Sequence, residues 1–278
     1  MSIRGWLSGE GGACCGVVRK NHWNYRTKSE HYGSCMENRE TYGRVVTLPK
    51  HTAPSGSGVA SALLVSPQVL TDIHPVGLGD PAGMGFILAQ LTQNGAPVLW
   101  VHDHASRREN GRPYMPGIRA FGVRAPVLQV RVSHPRDVLW ALEEGASCGG
   151  LSAIVGEIHG APQVLDFTAT KRLALRGEAS GVPIYLIRSG DGGVLSAARE
   201  RWRVSSRPSA AHRHDPHAPG GIRWQAELFR ARGRAPGRWL ASYEAGRASL
   251  TDRLDLVSAT DVGTLDAGNT RSEKPARG

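Results

Sequence analysis

Cysteine is scarce in this sequence and forms no pattern that builds a scaffold. The four cysteines, Cys14, Cys15, Cys35 and Cys148, contain no C-x-x-C pair. The adjacent Cys14 and Cys15 would close only a strained bridge with each other. We therefore expect neither a disulfide framework nor a zinc site.

Long apolar segments are missing as well. No stretch reaches the roughly 18 apolar residues that a membrane-spanning helix needs, and residues 1–20 lack the apolar centre of a secretory signal. The 278 residues are 40% hydrophobic, which is enough to bury a sizeable core. We expect a cytoplasmic protein that has no membrane partner.

Acidic residues are outnumbered, with 24 acidic against 34 basic groups and a formal net charge of +10. Residues 199–238 hold 10 basic and 3 acidic groups, whereas residues 57–198 hold 11 of each. All ten basic groups of that late segment are arginine, which grips phosphate through a bidentate fork. The segment indicates a polyanionic partner, with a solvated and solubilising surface as the alternative.

A glycine-rich turn and helix, GDPAGMGFILAQL at residues 79–91, precedes the apolar run PVLWV at residues 97–101. A turn that opens a helix beside a buried strand is typical of nucleotide-binding α/β domains. Their phosphate-binding loop reads G-x-x-x-x-G-K-[ST]. Its backbone N–H groups hold the phosphates, its lysine reaches their oxygens and its hydroxyl holds Mg²⁺.

This turn is rich in glycine like such a loop, but counted from Gly79 the second glycine position of the motif is Met84, and the chemistry of the loop is lacking. Counted from Gly79, the lysine position is Gly85 and the hydroxyl position is Phe86. We interpret Gly79, Gly83 and Gly85 as a vestigial phosphate loop, and we expect no ATP hydrolysis and no cofactor. Free N–H groups at a helix start can still hold an anion, so weak nucleotide binding without turnover stays open.

Short β-branched runs alternate with helical patterns along the middle of the chain. This rhythm predicts right-handed βαβ crossovers, and therefore an α/β fold with a mostly parallel sheet flanked by helices. Ser133 is the expected N-cap of the second helix, Asp166 or Thr168 that of the third, and Gly181 ends the third. Strands are predicted at residues 70–74, 97–101, 127–132, 151–158, 182–188 and 200–206, and helices at residues 114–121, 135–144 and 168–179.

Three segments follow from composition and periodicity. Residues 1–58 are rich in Gly, Ser, Asn and charge without a hydrophobic period, which predicts a disordered extension. Whether translation starts at Met1 or at Met36 stays open. Residues 59–244 form the predicted α/β domain, and residues 245–278 are predicted to be a disordered tail.

A basic β-hairpin is predicted at the end of the domain, with strands 222–230 and 237–244 around the turn ARGRAPG. Exposed tryptophan beside arginine is typical of single-strand binding. Trp224, however, shares an apolar face of its strand, which favours a core role for it and for Trp202 and Trp239. The arginines are expected to face water and to contact DNA or an acidic partner. They are Arg223, Arg230, Arg232, Arg234 and Arg238.

Several segments together resemble the ImuA family, which are RecA-like proteins of bacterial SOS mutagenesis. The similarity runs from about Leu70 to Tyr243. Within it, SAIVGE at residues 152–157 lies where RecA has its Walker B strand. The segments that carry the resemblance are GDPAGMGFILAQL, PVLWVHD, GIRAFGVRAPVLQVRVSHPRDVLWALEEG, LSAIVGEI, DFTATKRLALRGEASGVPIYLIR, RWRV and RWQAELFRARGRAPGRWLASY.

The resemblance implies a RecA-like core with a non-catalytic accessory role in SOS-induced, error-prone translesion DNA synthesis. The implied partners are an ImuB-like protein, RecA and an error-prone polymerase, and single-stranded DNA could be a further one. The protein would associate with the nucleoid when active. Two alternatives stay open: a DNA-stimulated ATPase of RecA type that uses Glu157 and the Gly79 turn, and a regulator that binds RecA filaments.

Two histidine clusters invite a metal interpretation. His102, Asp103 and His104 follow the strand at residues 97–101, where RecA-like ATPases place a catalytic glutamate. Imidazole and carboxylate are metal ligands, but no further ligand lies nearby in sequence, so we interpret this segment as a polar loop. The HRHDPH run at residues 212–217 is interpreted as a solvated loop. We expect no bound metal.

Overall fold

The structure is a computed structural model that describes residues 69–91, 95–191, 193–212, 214–215, 217–244 and 253–258. The predicted extension at residues 1–58 lies outside the described residues. The strands are β1 Leu70–Pro75, β2 Val98–His102, β3 Val127–Arg131, β4 Ala153–His159, β5 Ile184–Ser189, β6 Glu200–Arg207, β7 Ile222–Ala231, β8 Gly237–Tyr243 and β9 Leu254–Ser258. The helices are α1 Ala82–Gln90, α2 His104–Asn110, α3 Met115–Ala120, α4 Pro135–Ala146 and α5 Phe167–Ser180.

All nine strands belong to one sheet, in the order β3-β2-β4-β5-β1-β6-β7-β8-β9. Neighbours from β3 to β6 run parallel, and neighbours from β6 to β9 run antiparallel. The predicted α/β class, with a mostly parallel sheet and flanking helices, is confirmed. In the described part of the chain, no helix has both the length and the apolar character needed to cross a membrane.

The middle of the sheet is covered on both faces. Helix α1 packs against β1 and β6 on one face, whereas α4 packs on β2 and β4, and α5 on β1 and β5. Every residue of β2 and β5 is buried as a result. Strands covered on both faces are apolar without alternation, which is why VLWV and IYLI could be recognised from sequence.

The ends of α4 and α5 test the predicted caps. Asp166 caps α5, since its carboxylate accepts a hydrogen bond from the Ala169 N–H at 2.7 Å, and Gly181 ends the helix with φ of 74°. Both predictions are confirmed. The predicted cap Ser133 is wrong, because Pro135 is the first residue of α4 and the N-cap position falls on His134, which makes no capping bond.

The predicted hairpin strands form β7 and β8, which pair antiparallel from Ile222 opposite Tyr243 to Leu228 opposite Gly237. The predicted disordered tail at residues 245–278 is wrong for Leu254–Ser258, which form β9 on β8. Leu254 and Leu256 are both buried. Two leucines at a spacing of two are too short a sequence signal, and the strand forms because β8 offers an edge. Arg253, just before β9, is described and buried as well, and residues 245–252 and 259–278 lie outside the described residues.

Candidate functional site

The glycine-rich turn follows β1 and lies at the carboxyl edge of the sheet. Residues 76–81 connect β1 to α1, and Gly79 has φ of 71°, a conformation that glycine adopts without strain. Open α/β sheets bind ligands at this edge, outside the carboxyl ends of their strands. The turn therefore occupies the position at which an α/β domain holds a ligand.

The other two glycines of the predicted vestigial loop lie inside α1, where both are buried. A Cβ on Gly83 would lie 3.0 Å from the Pro75 Cγ, and one on Gly85 would lie 2.7 Å from the Trp224 ring. The Gly85 N–H also donates within the helix, to the Pro81 carbonyl at 2.9 Å. Gly83 and Gly85 thus allow α1 to approach β1 and β7 closely, and of the three glycines only Gly79 lies in the turn.

A carboxylate of the protein itself lies at the start of α1. Asp80 Oδ1 accepts a hydrogen bond from the Ala82 N–H at 2.9 Å. The same carboxylate accepts the Ser206 N–H at 2.9 Å and the Ser206 hydroxyl at 2.6 Å, so it links α1 to β6. Partial burial acts to raise the pKa of Asp80, but the hydrogen bonds from Ser206 and Ala82 lower it overall. An internal anion therefore holds the place where a phosphate would bind a helix N-terminus.

Glu157, the Walker B-like residue, is held in the interior. It is 1% exposed, and the Trp100 indole N–H donates to its Oε1 while the Asn110 amide donates to its Oε2 at 3.4 Å. Burial raises the pKa of Glu157, the hydrogen bonds from Trp100 and Asn110 oppose that rise, and the charge of Asp103 adds to it. Both carboxylate oxygens are therefore occupied by side chains of this chain.

The segment predicted to be a polar loop is the junction of β2 and α2. His102 ends β2 and is buried, whereas His104 begins α2 and is exposed. Asp103 between them is the N-cap of α2 and accepts the Ser106 N–H at 2.7 Å. Burial lowers the pKa of His102, and the charges of Arg107 and Arg131 lower it further. The loop prediction is corrected: local capping by Asp103 starts a helix here, and the two histidines do not converge.

The second histidine cluster lies in the connection from β6 to β7. His212, His214 and His217 are exposed, and the rings of His212 and His214 are 5.9 Å apart. Among the described residues, no cluster of three or more histidine, cysteine or carboxylate side chains has the arrangement of a metal site.

A buried charge network, which no local sequence pattern predicts, joins the ends of β1 and β5 to β6. Arg188 pairs with Asp72 at 2.8 Å and with Asp191. Arg201 pairs with Asp72 at 3.3 Å, and His74 bonds to Asp191 at 3.1 Å and to Arg201 at 3.3 Å. Each of these residues is at most 8% exposed. Two arginines are therefore paired with two aspartates in the interior, and the network connects β1, β5 and β6.

The tryptophans of the hairpin region belong to the core. Trp202 and Trp224 are 1% and 3% exposed, and Trp239 is partly buried with its ring 5.7 Å from that of Trp202. The core prediction is confirmed for Trp202 and Trp224. Their ring centroids lie 5.3 Å and 6.2 Å from that of Phe86 in α1. The three rings therefore pack the helix against β6 and β7.

The five predicted contact arginines do not form one surface. Arg234 pairs with Glu200, and its guanidinium lies 5.4 Å over the Trp202 ring on the core side. Arg238 pairs with Glu227 on the opposite side of the sheet. Arg223 lies on that opposite side as well, and Arg230 and Arg232 are exposed at the end of β7. The sheet therefore separates the arginines that the turn seemed to group.

Comparison with known proteins assigns no family to the chain. No protein-family model matches it, and no curated protein matches it. Among solved structures, SulA from Pseudomonas aeruginosa, an SOS-response protein, is 17% identical with a TM-score of 0.34. That alignment covers 45% of this chain and all of SulA. Similarity of this size supports no conclusion about the function of the chain.

Proposed function

We propose that this protein is a non-catalytic, RecA-like scaffold in SOS-induced, error-prone translesion DNA synthesis. It would bring together an ImuB-like protein, RecA and an error-prone polymerase at a stalled replication site, without breaking a bond itself. Support for this process and these partners comes from the sequence resemblance between Leu70 and Tyr243. The appended strands β7 and β8 carry the last part of that resemblance.

The single observation that carries the non-catalytic role is the position of Asp80. Its carboxylate accepts hydrogen bonds from Ala82 at the start of α1 and from Ser206 on β6. A nucleotide phosphate would have to displace a negative charge that three donors already satisfy, and it would find no lysine at Gly85 to attract it. Glu157 is likewise occupied by Trp100 and Asn110.

An ATPase assay tests the absence of catalysis. We expect the purified chain, with Mg²⁺ and single-stranded DNA, to release phosphate no faster than a protein-free blank. Glu157→Gln is the matched variant, because the amide keeps an acceptor for the Trp100 N–H while removing the acid. Turnover that Glu157→Gln abolishes would establish the ATPase alternative, whereas turnover that survives it would indicate a contaminating enzyme.

Recruitment is tested in cells. A tagged chain, captured from cells before and after DNA damage, should retain the ImuB-like protein, the error-prone polymerase and RecA, each scored separately with an untagged strain as the control. Retention of RecA alone would favour the filament-regulator alternative. Capture of none of the three after damage would contradict the proposed scaffold.

A further inference from the structure

Strands β6, β7 and β8 have one covered face and one open face. Trp202, Trp224 and Ala241 point into the core, where α1 packs. Side chains alternate along a strand, so the open face carries the odd-numbered residues 203–207 of β6 and 223–227 of β7, and the even-numbered residues 238–242 of β8. Arg203 and Arg238 on this face are 49% and 64% exposed.

This open face carries an excess of positive charge. Arg203 and Arg238 both pair with Glu227, at 3.4 Å and 3.0 Å, so two guanidinium groups share one carboxylate. Four residues further along β6, Arg207 is directly opposite Arg223 of β7. Like charges that face each other across neighbouring strands destabilise a sheet, and an anion between them would relieve that repulsion.

Arg223 supplies a second, independent observation that points to an anion site on this face. Its Nε is buried and has no hydrogen-bond partner in the part of the chain that the structure describes. Its neighbour on β8 is Ser242, which is neutral. A buried guanidinium nitrogen without an acceptor is costly, and an oxyanion bound between Arg207 and Arg223 would supply the acceptor.

The spacing of the charges indicates a polymeric anion. The arginine rows at Arg203 and Arg207 are separated by four residues of β6, which is about 13 Å at the rise of a strand. One phosphate cannot engage both rows, but a chain of phosphates can. Between the rows lie the hydrogen-bonding side chains of Ser205 and Gln225, and the Arg203 guanidinium is stacked 4.1 Å from the Phe229 ring.

We propose that the open face of β6–β8 binds single-stranded nucleic acid through its phosphates, with Arg207 and Arg223 as a paired phosphate clamp. A flat sheet face suits a single strand, whose backbone can follow the arginine rows while its bases meet polar side chains and guanidinium planes. The inference goes beyond the proposed function, because recruitment of proteins needs no contact with nucleic acid. It also moves the contact from the β7–β8 turn to the face of the sheet.

Salt-dependent binding of a fluorescent 20-nucleotide poly(dT) to the full chain tests the proposal. If Arg203, Arg207, Arg223 and Arg238 each meet a phosphate, the slope of log K against log salt should be about −2.8, at roughly 0.7 per contact for single strands. The double variant Arg207→Gln/Arg223→Gln should halve the slope to about −1.4 and weaken binding about 25-fold at 0.1 M salt.

The matched control is Arg172→Gln/Arg176→Gln, which removes the same charge from α5, where Arg172 is 55% exposed. The control should bind like the wild type. An equal loss of affinity in both double variants would mean that only net charge matters, and it would overturn the proposed phosphate clamp. A wild type that does not bind the oligonucleotide would overturn it as well.

A second measurement uses only the wild type, so its result does not depend on whether the variants fold. Phenylglyoxal modifies accessible arginines, and bound oligonucleotide should protect Arg207 and Arg223 while leaving Arg172 and Arg176 reactive. Protection that is absent at Arg207 and Arg223 while the oligonucleotide is bound would place the contact elsewhere and overturn the proposal.

Discussion

Replacing Asp80 with alanine should destabilise the domain and open an anion site. The change removes hydrogen bonds from the Ala82 N–H, the Ser206 N–H and the Ser206 hydroxyl, at 2.9, 2.9 and 2.6 Å. Loss of a helix-start acceptor costs about 1 kcal/mol and a bond to a charged group about 1.5–3 kcal/mol before solvent screening. Since Asp80 is only partly buried, we expect a net loss of about 1–2 kcal/mol.

This loss should depend on pH in a defined direction. The pKa of Asp80 is lowered in the folded state from its usual value of 3.8, so its ionised form stabilises the fold above that value. The contribution disappears as the pH falls through the lower, folded-state pKa. Urea unfolding at pH 7 should therefore separate Asp80→Ala from the wild type, and the separation should shrink in acid.

The control and the second readout make the test specific. Asp137→Ala removes an acidic residue from the first turn of α4 and should cost about 0.3–1 kcal/mol through the helix dipole alone. Inorganic phosphate should restore stability to Asp80→Ala, because the freed donors can bind it, and should do little for the wild type. If Asp80→Ala unfolds like Asp137→Ala and ignores phosphate, the internal-anion explanation is wrong.

Three further variants probe the interior. Gly85→Ala places a methyl group 2.7 Å from the Trp224 ring and should cost about 1–3 kcal/mol by thermal unfolding; an unchanged melting temperature would refute close helix packing. Glu157→Gln should leave stability at pH 7 equal or higher, because burial raises the folded-state pKa above the usual 4.5 and penalises the ionised wild type at neutral pH; a clear loss at pH 7 would show that the charge stabilises the fold. Asp72→Asn breaks the buried network and should cost about 3–5 kcal/mol, against under about 1 kcal/mol for Glu178→Gln in an exposed pair; similar costs for both would contradict a buried, tightly coupled network.

Much of the sheet could be predicted from sequence because its middle strands are buried on both faces. The runs at residues 97–101 and 182–188 are apolar throughout, and they differ from β2 and β5 by only one or two residues at their ends. Where burial is one-sided, alternation carried the signal, as in β7, whose Trp224, Ala226 and Leu228 are buried.

The elements that were not predicted, α2 and β9, depend on contacts that are not visible as a pattern in the sequence. Helix α2 has a polar sequence, HASRREN, without an apolar stripe, and it begins because Asp103 caps it. Strand β9 forms because β8 leaves an edge to pair with. The predicted cap of α4 was wrong for a local reason, since the ring of Pro135 fixes the start of the helix and leaves no capping role for Ser133.

The glycines of the turn indicated the candidate site in the sequence, but the contacts of its carboxylates determine its structure. In the sequence, Gly79, Gly83 and Gly85 all fit a glycine-rich loop. Only the packing shows that Gly79 lies in the turn, whereas Gly83 and Gly85 lie inside α1 and let it pack closely on the sheet. Asp80 finds its partner Ser206 at a separation of 126 residues, and Asp72 finds Arg188 at 116. No local pattern predicts such pairs, because they exist only where parallel crossovers bring β1 beside β5 and β6.

Sequence alone determined the absences: no lysine or hydroxyl at the phosphate positions, no long apolar span, and an arginine excess after residue 198. These are properties of residue identity, which folding cannot change. Tertiary structure decided which charges are neutralised. Arg188 and Arg201 lie in a buried balanced network, whereas Arg207 and Arg223 meet across two strands without a carboxylate opposite either of them. Strand register sets that difference, because it fixes which side chain stands beside which.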